Sequence, residues 1–432
     1  MEELLSLTKK VAEEAEVFTV ATTETPVQFE SNRLKHIQSK QSLTVALRII
    51  KNGRIGYATS TNLDSLQALV DDAVTTAEFG QKAEFQFPSL RRFSRTDIYD
   101  KDVKNVTLET MTGLGEKMIH AITTHSPEVI CEAGVTKAIQ ECSIVNSRGG
   151  KASYKKTIFA LGVEGQLIRG TDMLFVGDYS SSCHPLLDPR EIIGTVIHHL
   201  ELAKNQATIS TRPMSVIFTP EGIASAIVLP LMTAFNGKTV LEGASPIGNK
   251  LGQAVFDAKL TIRDDPTVPY RPGSQPCDDE CVPCQQTTLI KSGMVNSFIY
   301  DLQTAGKAGT KSTGNGQRQG GLPSPSMHAL VLENGAVSFD DMVQNIDEGL
   351  VVEQLMGAGQ GNVLGGDFNG NVLLGFKIEK GKIVGRVKDT MVSGNVYQLL
   401  KDIAAIGNDS KWVGGSLSTP SLCLTNVSVA SR

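Results

Sequence analysis

Cys277-Asp-Asp-Glu-Cys-Val-Pro-Cys284 lies in the middle of residues 263–321, the stretch around which the rest of this chain is organised. The same stretch holds a second acidic doublet, Asp264-Asp265, and the run Lys307-Ala-Gly-Thr-Lys-Ser-Thr-Gly-Asn-Gly-Gln-Arg318. This run is too rich in Gly, Ser and Thr to form a regular helix or strand. We therefore expect polar loops at the centre of the chain.

The length and composition of the chain predict two domains. Its 432 residues are 40% hydrophobic and 20% charged, which is typical of a globular protein too large for one small core. Residues 208–213 are polar and lead into the apolar strand Val216-Ile-Phe218, so the boundary is placed there. We predict an N-terminal α+β domain over residues 1–209 and a C-terminal β-rich domain over residues 210–432.

Charge and hydropathy argue against several partners. The net charge is −5 and the chain has no long basic block, so a nucleic-acid partner is not expected. No window approaches the roughly 18–20 apolar residues of a membrane span, and Met1-Glu-Glu-Leu-Leu-Ser6 does not resemble a signal peptide. We expect a cytoplasmic protein without a membrane partner, whose seven cysteines are reduced thiols.

Hydrophobic periodicity predicts an α+β fold, in which a mixed α/β-layer domain precedes a mostly antiparallel β domain. In the N-terminal half, Asn52-Gly53 predicts a hairpin turn. In the C-terminal half, short strand-like runs are separated by Gly and Asn turns. His198-His199 is interpreted as part of a solvated helix face. The expected helices cover residues 64–78, 108–125, 188–206, 220–236 and 395–406, and long strands cover residues 130–167 with a turn at 146–150.

Cys277, Cys281 and Cys284 have the spacing C-x3-C-x2-C, which allows three interpretations. Three thiolates on one loop could hold an iron–sulfur cluster, and with a fourth ligand they could hold structural zinc. Plain thiols are the third interpretation and the one we favour, because the loop contains Pro276 and Pro283 and does not open a barrel of repeated βα units.

A series of polar and glycine-rich motifs runs through the C-terminal half. In chain order they are Ser245-Pro-Ile-Gly-Asn-Lys-Leu-Gly252, Leu260-Thr-Ile-Arg-Asp-Asp-Pro266, Asp278-Asp-Glu280, Tyr300-Asp-Leu-Gln-Thr-Ala305, Lys311-Ser-Thr-Gly-Asn-Gly316, Gly366-Asp-Phe368, Ile378-Glu-Lys-Gly381, Val392-Ser-Gly-Asn395 and Ile406-Gly-Asn-Asp409. Together they resemble the TldD/PmbA family, whose members are also called modulators of DNA gyrase. The resemblance covers nearly the whole chain and implies a metalloprotease complex built from two related subunits.

The resemblance also implies which subunit this chain is. The TldD-type subunit carries H-E-x-x-x-H on a helix, whose histidines bind zinc and whose Glu acts as base, and a later Cys completes the site. Here Pro220 and Ser225 stand at the histidine positions and Glu221 remains, while Val413-Gly-Gly-Ser416 stands where the Cys is expected. The chain therefore resembles the PmbA or TldE type, with no catalytic residue, metal or cofactor of its own and with zinc in the partner subunit.

From this resemblance we expect a heterodimer or higher assembly with a TldD-type subunit, acting in the proteolysis of unfolded peptides. The share of this chain would be to line the cleft and to offer backbone edges to an extended substrate. One alternative is a stand-alone homodimeric peptide-binding or scaffold protein without protease activity, and another is an iron–sulfur or zinc protein using the three cysteines. The expected substrate-binding residues, which could instead only stabilise loops, are Asp278, Asp279, Ser312, Thr313, Gly314, Asn315 and Asp367.

Overall fold

The structure is a computed structural model that describes residues 1–431. The hairpin predicted at Asn52-Gly53 is present, and the two residues have φ of 50° and 69°, as a two-residue turn between twisted strands requires. Ile49 pairs with Gly56 across this turn. The register of this hairpin is therefore set locally, by the conformational freedom of its turn residues.

The N-terminal half, within the described residues, is one antiparallel sheet covered by helices. Its strands are β1 (Glu14–Glu30), β2 (Arg33–Ile37), β3 (Lys40–Lys51), β4 (Arg54–Ser60), β5 (Ile130–Asn146), β6 (Lys151–Arg169) and β7 (Asp172–Ser182). Their order is β4-β3-β1-β5-β6-β7, and β2 pairs with β1. The helices are α1 (Glu2–Thr8), α2 (Leu66–Phe79), α3 (Lys101–Asn105), α4 (Leu108–His125) and α5 (Arg190–Leu202).

Helix α4 shows how these helices form. Thr107 caps its start, and the Thr107 hydroxyl accepts a hydrogen bond from the Thr110 N–H at 3.1 Å. Met111, Met118 and Ile122 recur at helical spacing and are fully buried against the sheet. Capping and periodicity act locally, so the predicted bounds of this helix agree with the observed ones.

The C-terminal half contains the helices α6 (Pro220–Ala226), α7 (Val228–Ala234), α8 (Gly237–Leu241), α9 (Leu302–Lys307), α10 (Phe339–Gln344) and α11 (Val396–Leu399). Its strands are β8 (Arg212–Phe218), β9 (Ile262–Asp264), β10 (Thr287–Lys291), β11 (Met294–Val295), β12 (Gly316–Gln317), β13 (Ser324–Pro325), β14 (Leu330–Leu332), β15 (Glu348–Met356), β16 (Asp367–Glu379), β17 (Lys382–Arg386), β18 (Thr390–Asn395), β19 (Ile403–Ile406), β20 (Lys411–Val413), β21 (Leu417–Thr419) and β22 (Leu422–Ser431).

These strands form a closed ring and a second, open sheet. The ring runs β15-β8-β22-β18-β16 and closes because β16 also pairs with β15. The open sheet has the order β11-β10-β9-β14-β21-β20. Among the described residues, the parallel pairs in these two sheets are β8 with β15 and β14 with β21. The α+β class and the mostly antiparallel C-terminal half are thus confirmed.

The two halves share a hydrophobic core. One buried cluster contains Leu161 and Met118 of the N-terminal sheet and α4 together with Ile217, Val351 and Phe376 of the ring. The predicted limit between residues 209 and 210 falls in the connection from α5 to β8. No helix within residues 1–431 combines the length and the apolar character needed to cross a membrane.

Two predicted helices differ from the structure. The helix predicted over residues 220–236 is divided at Ile227 into α6 and α7, and Pro230 contributes to this because it cannot donate a helical hydrogen bond. The helix predicted over residues 395–406 ends at Leu399, and β19 follows. Ile403 pairs with Leu424, so the edge of β22 outweighs the local helical propensity.

A buried ionic network joins the two halves. Arg48 of β3 donates through Nη2 to Glu16 Oε1 of β1 at 2.9 Å and through Nη1 to Glu280 Oε1 at 2.5 Å. Arg318 Nη2 donates to the same Glu16 oxygen at 2.6 Å. All four side chains are at most 5% exposed. Buried ions are costly unless they are paired. This network therefore holds the loops that carry Glu280 and Arg318, here called the 278–318 loops, against the N-terminal sheet.

We expect Arg48→Met to lower the free energy of unfolding by about 3–5 kcal/mol, because it leaves two buried carboxylates without their shared cation. Urea denaturation followed by circular dichroism measures the change. Lys35→Met is the matched control, since Lys35 pairs with Glu30 at the surface, and its loss should be much smaller. Equal losses in the two variants would contradict a structural role for the network.

The stability of the folded chain should depend on pH through the buried side chain of Asp301. Burial raises the pKa of Asp301 from 3.8 to about 6, and the Glu280 charge adds to the rise. The folded chain therefore binds more protons than the unfolded chain between about pH 4 and pH 6, so this group's contribution to stability is lost as pH rises through that window. The shift corresponds to on the order of 3 kcal/mol.

Asp301→Asn should remove this contribution while keeping an acceptor at the start of α9, where Asp301 Oδ1 accepts from the Thr304 N–H at 2.6 Å. We expect the unfolding free energy of the variant to fall less steeply than that of the wild type between about pH 4 and pH 6. Urea titrations across this range test it, with the exposed Asp340→Asn as control. Identical slopes for wild type and Asp301→Asn would refute the expectation.

Candidate functional site

Asp278 anchors the loop that carries the acidic residues. Its Oδ1 accepts from the N–H groups of Glu280 at 3.0 Å and Val282 at 2.9 Å, and its Oδ2 accepts from the N–H of Gly316 at 2.9 Å. Burial and the nearby Glu280 charge raise the pKa of Asp278, while these donors oppose the rise. Both oxygens are engaged by backbone groups, so the side chain shapes the loop.

Asp279 lies beside it and is half-buried. Its Oδ2 accepts from the N–H of Arg318 at 2.8 Å, and its own N–H donates to the carbonyl of Gly316 at 2.9 Å. Burial raises the pKa of Asp279. The acidic doublet is thereby tied to the end of the Gly/Ser/Thr run, although the two segments are distant in sequence.

Asn315 is the buried hub of that run. Its Nδ2 donates to Asp264 Oδ2 at 2.6 Å and to the Ser326 carbonyl at 2.9 Å, and its Oδ1 accepts from the Thr313 hydroxyl at 2.7 Å. Asp264 Oδ1 also accepts from the N–H of His328 at 2.8 Å. Both acidic doublets of the central stretch are therefore bonded to the Ser312–Gly316 segment.

Ser312, Thr313 and Gly314 wrap around the backbone of Tyr300. The Ser312 hydroxyl donates to the Tyr300 carbonyl at 3.1 Å, and the Thr313 hydroxyl accepts from the Tyr300 N–H at 2.8 Å. Gly314 has φ of +77°, and a Cβ atom there would lie 2.6 Å from the Pro283 carbonyl oxygen. Glycine is required at this position because two loops approach closely.

The structure brings six of the seven predicted substrate-binding residues together and separates the seventh. Asp278, Asp279 and residues 312–315 form one loop cluster. Asp367 begins β16 and is exposed, and its Oδ1 accepts from Asn395 Nδ2 at 2.8 Å. Substrate binding by these residues stays a prediction, and Asp367 would contribute to it from the ring rather than from the loop cluster.

The three cysteines lie in two different surroundings. Cys277 and Cys281 pack in an apolar cluster with Phe18 and Cys142. Cys284 Sγ donates to the Gly314 carbonyl at 3.3 Å and lies 3.8 Å from His328 Nε2. Burial raises the pKa of all three thiols. Among residues 1–431 no group of three or more His, Cys, Asp or Glu side chains is placed to hold a metal ion.

Helix α6 begins where the family resemblance places the metal motif of a TldD-type subunit. Thr219 caps it, and Pro220 occupies the first turn, where its missing N–H costs least. The Ser225 hydroxyl donates to the Gly222 carbonyl at 2.8 Å and accepts from the Leu355 N–H at 3.3 Å. Pro220 offers no donor atom to a metal, and the Ser225 hydroxyl is already hydrogen-bonded. These two residues therefore do not fit a zinc site of the kind that the resemblance assigns to the TldD-type subunit.

Glu221, the remaining member of that motif, lies in a polar junction. Burial raises its pKa, and the nearby Lys411 charge opposes the rise. Lys411 Nζ donates to Asp178 Oδ1 of β7 at 2.6 Å, and Glu353 of β15 accepts from the Thr219 hydroxyl at 2.9 Å. Asp178 of the N-terminal sheet and Glu353 of the closed ring of strands thus both place their charges near Glu221 of α6.

His199 was not anticipated at this junction. The solvated face predicted for His198-His199 is wrong for His199, which is 8% exposed, with Nε2 3.6 Å from Glu353 Oε1. The imidazole of His199 also lies near the aromatic side chain of Phe376 in β16, with their centroids 6.1 Å apart. The periodicity of α5 could not indicate this, because the partner strands lie more than a hundred residues away.

The sequence does not predict the ionic network, although two charged residues within apolar strands are a weak sign of it. Arg48 interrupts the apolar run Leu47-Arg48-Ile49, and Glu16 interrupts Ala15-Glu16-Val17. Alternation in a strand would assign both to a solvated face. They are buried instead because a second part of the chain, at Glu280 and Arg318, covers that face of the sheet.

The chain is similar to known proteins over both of its halves. Residues 211–431 match the family model of the PmbA/TldA metallopeptidase C-terminal domain, and residues 15–77 match that of PmbA/TldA metallopeptidase domain 1. The crystal structure of TldE from Thermococcus kodakarensis has a TM-score of 0.90, with 24% identity and 100% coverage of both chains, which shows the same fold.

Two curated relatives come from Buchnera aphidicola subsp. Acyrthosiphon pisum. A metalloprotease PmbA homologue is 28% identical over 54% of this chain and 50% of its own length. A metalloprotease TldD homologue is 33% identical over 39% of this chain and 35% of its own length. The chain therefore matches half or less of each of these relatives. Since the C-terminal family model alone spans more than half of the sequence, the chain belongs to the PmbA/TldD metallopeptidase family.

Proposed function

We propose that this chain is the non-metal subunit of a two-subunit metalloprotease and works with a TldD-type zinc subunit on unfolded peptides. Helix α6 carries the proposal: Pro220 has no metal-binding atom, and the Ser225 hydroxyl is bonded to Gly222 and Leu355. Zinc in the partner subunit would supply the activated water for hydrolysis. The residues of this chain would shape the cleft and hold the peptide.

The accessible and buried members of the loop cluster would divide this work. Asp278, Gly314 and Asn315 are buried, so they fix the loop conformation. Asp279, Ser312 and Thr313 are half-buried, so these side chains of the cluster can reach a peptide, as can Asp367, which is exposed outside the cluster on β16. A loop held rigid before binding loses little entropy when a substrate arrives. An extended peptide would then bind through its backbone along the cluster.

One further observation supports pairing with a TldD-type subunit, and another supports a location in the cytoplasm. One bacterium, Buchnera aphidicola subsp. Acyrthosiphon pisum, carries both a TldD homologue and a PmbA homologue to which this chain is similar. All seven cysteines of the chain are free and buried, which suits a reducing compartment. We therefore place the complex in the cytoplasm.

The purified chain should contain far less than one zinc per protein and should not cleave an unfolded substrate such as reduced casein. Adding a purified TldD-type subunit should produce cleavage that a chelator stops, because the metal would reside in the partner. Metal analysis by mass spectrometry and release of labelled casein fragments measure both. The partner alone is the control, and size-exclusion chromatography shows whether the two co-elute near equimolar ratio. Stoichiometric zinc with chelator-sensitive cleavage by the chain alone would refute the proposal.

The variant Glu221→Gln tests whether Glu221 acts as a general base in the two-subunit complex. If the chain supplies no base, the pair containing this variant should retain its cleavage rate within about twofold, whereas loss of a true general base costs about 10²–10⁴-fold. The matched control is the Glu→Gln change in the H-E-x-x-x-H motif of the partner, which should abolish cleavage. A loss of about 10²-fold or more with Glu221→Gln would mean that this chain contributes to the chemistry.

A further inference from the structure

β2 and the start of β3 leave a sheet edge unpaired at residues 33–44, here called the β2 edge. On its inner side this segment pairs with β1. On its outer side β4 pairs with β3 from Val45 to Lys51, and within the described residues no strand lies beyond the β2 edge. Residues 31–42 are all exposed. The β2 edge therefore presents free N–H and C=O groups that another strand could use.

The charge of the β2 edge is uniformly positive. It contains Arg33, Lys35 and Lys40 and no Asp or Glu, although the chain as a whole has a net charge of −5. Lys35 already pairs with Glu30 across the hairpin at 2.8 Å, with both side chains more than half exposed. Cations on an edge oppose pairing with neutral or basic strands and favour an acidic one.

A second copy of this chain is a poor occupant of the β2 edge. Antiparallel pairing of β2 with its copy about Lys35 would place each Lys35 opposite the other. Like charges directly opposite one another destabilise a strand pair. The basic sequence thus selects a different and acidic segment.

The two faces of the β2 edge differ in chemistry. Leu34 is opposite Phe29 and Ile37 is opposite Val27, so both share the face on which those buried residues pack. Arg33 is opposite Glu30 on the other face. A register irregularity between Gln28 and Phe29 permits this separation. One face is therefore apolar and the other basic.

A groove adjoins the apolar face. It lies between the β1–β2 hairpin and α4 and has a volume of about 570 Å³. Leu34 borders it and is 45% exposed, whereas Phe29 and Ile119 at its base are buried. The rest of the lining is mostly polar and consists of Asn32, Arg33, Glu116, His120, Thr123 and Pro127. An apolar side chain of an added strand could pack beside Leu34 there.

We propose that the β2 edge binds an extended acidic segment of another polypeptide as an additional strand. Acidic side chains of the segment lie on the face of Arg33 and Lys35, and its alternate apolar side chains lie over Leu34 and Ile37. Main-chain hydrogen bonds provide binding and the two faces provide selectivity. This interaction goes beyond the proposed protease role and requires neither zinc nor a TldD-type subunit.

The test uses the full chain and a fluorescein-labelled peptide of five Glu-Val repeats, with binding measured by fluorescence anisotropy. The matched peptides are five Lys-Val repeats and the Glu-Val peptide N-methylated at alternate residues. The acidic peptide should bind at least about tenfold more tightly than either. Its affinity should fall as salt is raised, because the charges are exposed.

Arg33→Glu/Lys35→Glu should remove this binding. Lys9→Glu/Lys10→Glu changes the net charge equally at exposed residues after α1 and should preserve it. Circular dichroism checks folding, and Arg33→Gln/Lys35→Gln replaces the charge reversal if that variant does not fold. The proposal is overturned by no binding, by equal binding of the N-methylated peptide, or by binding that survives both edge variants. Dimerisation of the chain through the β2 edge, seen by sedimentation, would also overturn it by identifying a second copy as the occupant.

Discussion

The ion pairs of Arg48 with Glu16 and Glu280 are the interaction on which the arrangement of the two halves depends. These ions are enclosed where the 278–318 loops cover the N-terminal sheet. Each would be costly in isolation, so the loops and the sheet keep one fixed relation. The second oxygen of Glu280 accepts from the Leu302 N–H at 2.7 Å, which extends the same constraint to α9.

This constraint explains the character of the candidate site. The loop cluster is rich in Gly, Ser and Thr, yet Asp278 bonds to the backbone of Gly316 and Asn315 bonds to the backbone of Ser326. The buried side chains of Asp278 and Asn315 are therefore bonded within the chain, as most buried polar groups are. Under the proposed function, such a surface would be available to a peptide without first becoming ordered.

Helix α6 is held in the fold by its cap and its buried face, whatever chemistry its surface residues support. The chain superimposes on TldE over its whole length with a TM-score of 0.90, and α6 is well capped and packed. Its local stability depends on Thr219 and on its buried face. Pro220 and Ser225, which stand where the family resemblance places the metal ligands of a TldD-type subunit, are compatible with this helix.

Sequence alone determined the features that depend on neighbours along the chain. The Asn52-Gly53 turn, the bounds of α4 and the α+β class follow from turn chemistry, capping and periodicity, and the ordered motifs indicated the family. Tertiary structure decided the burial of Arg48, the position of His199, and the replacement of a predicted helix by β19. In each case the partner lies outside the local pattern: Glu280 lies 232 residues after Arg48, and Leu424, the partner of Ile403, belongs to a separate strand. A local pattern specifies which face a side chain occupies, and only the folded chain decides what covers that face.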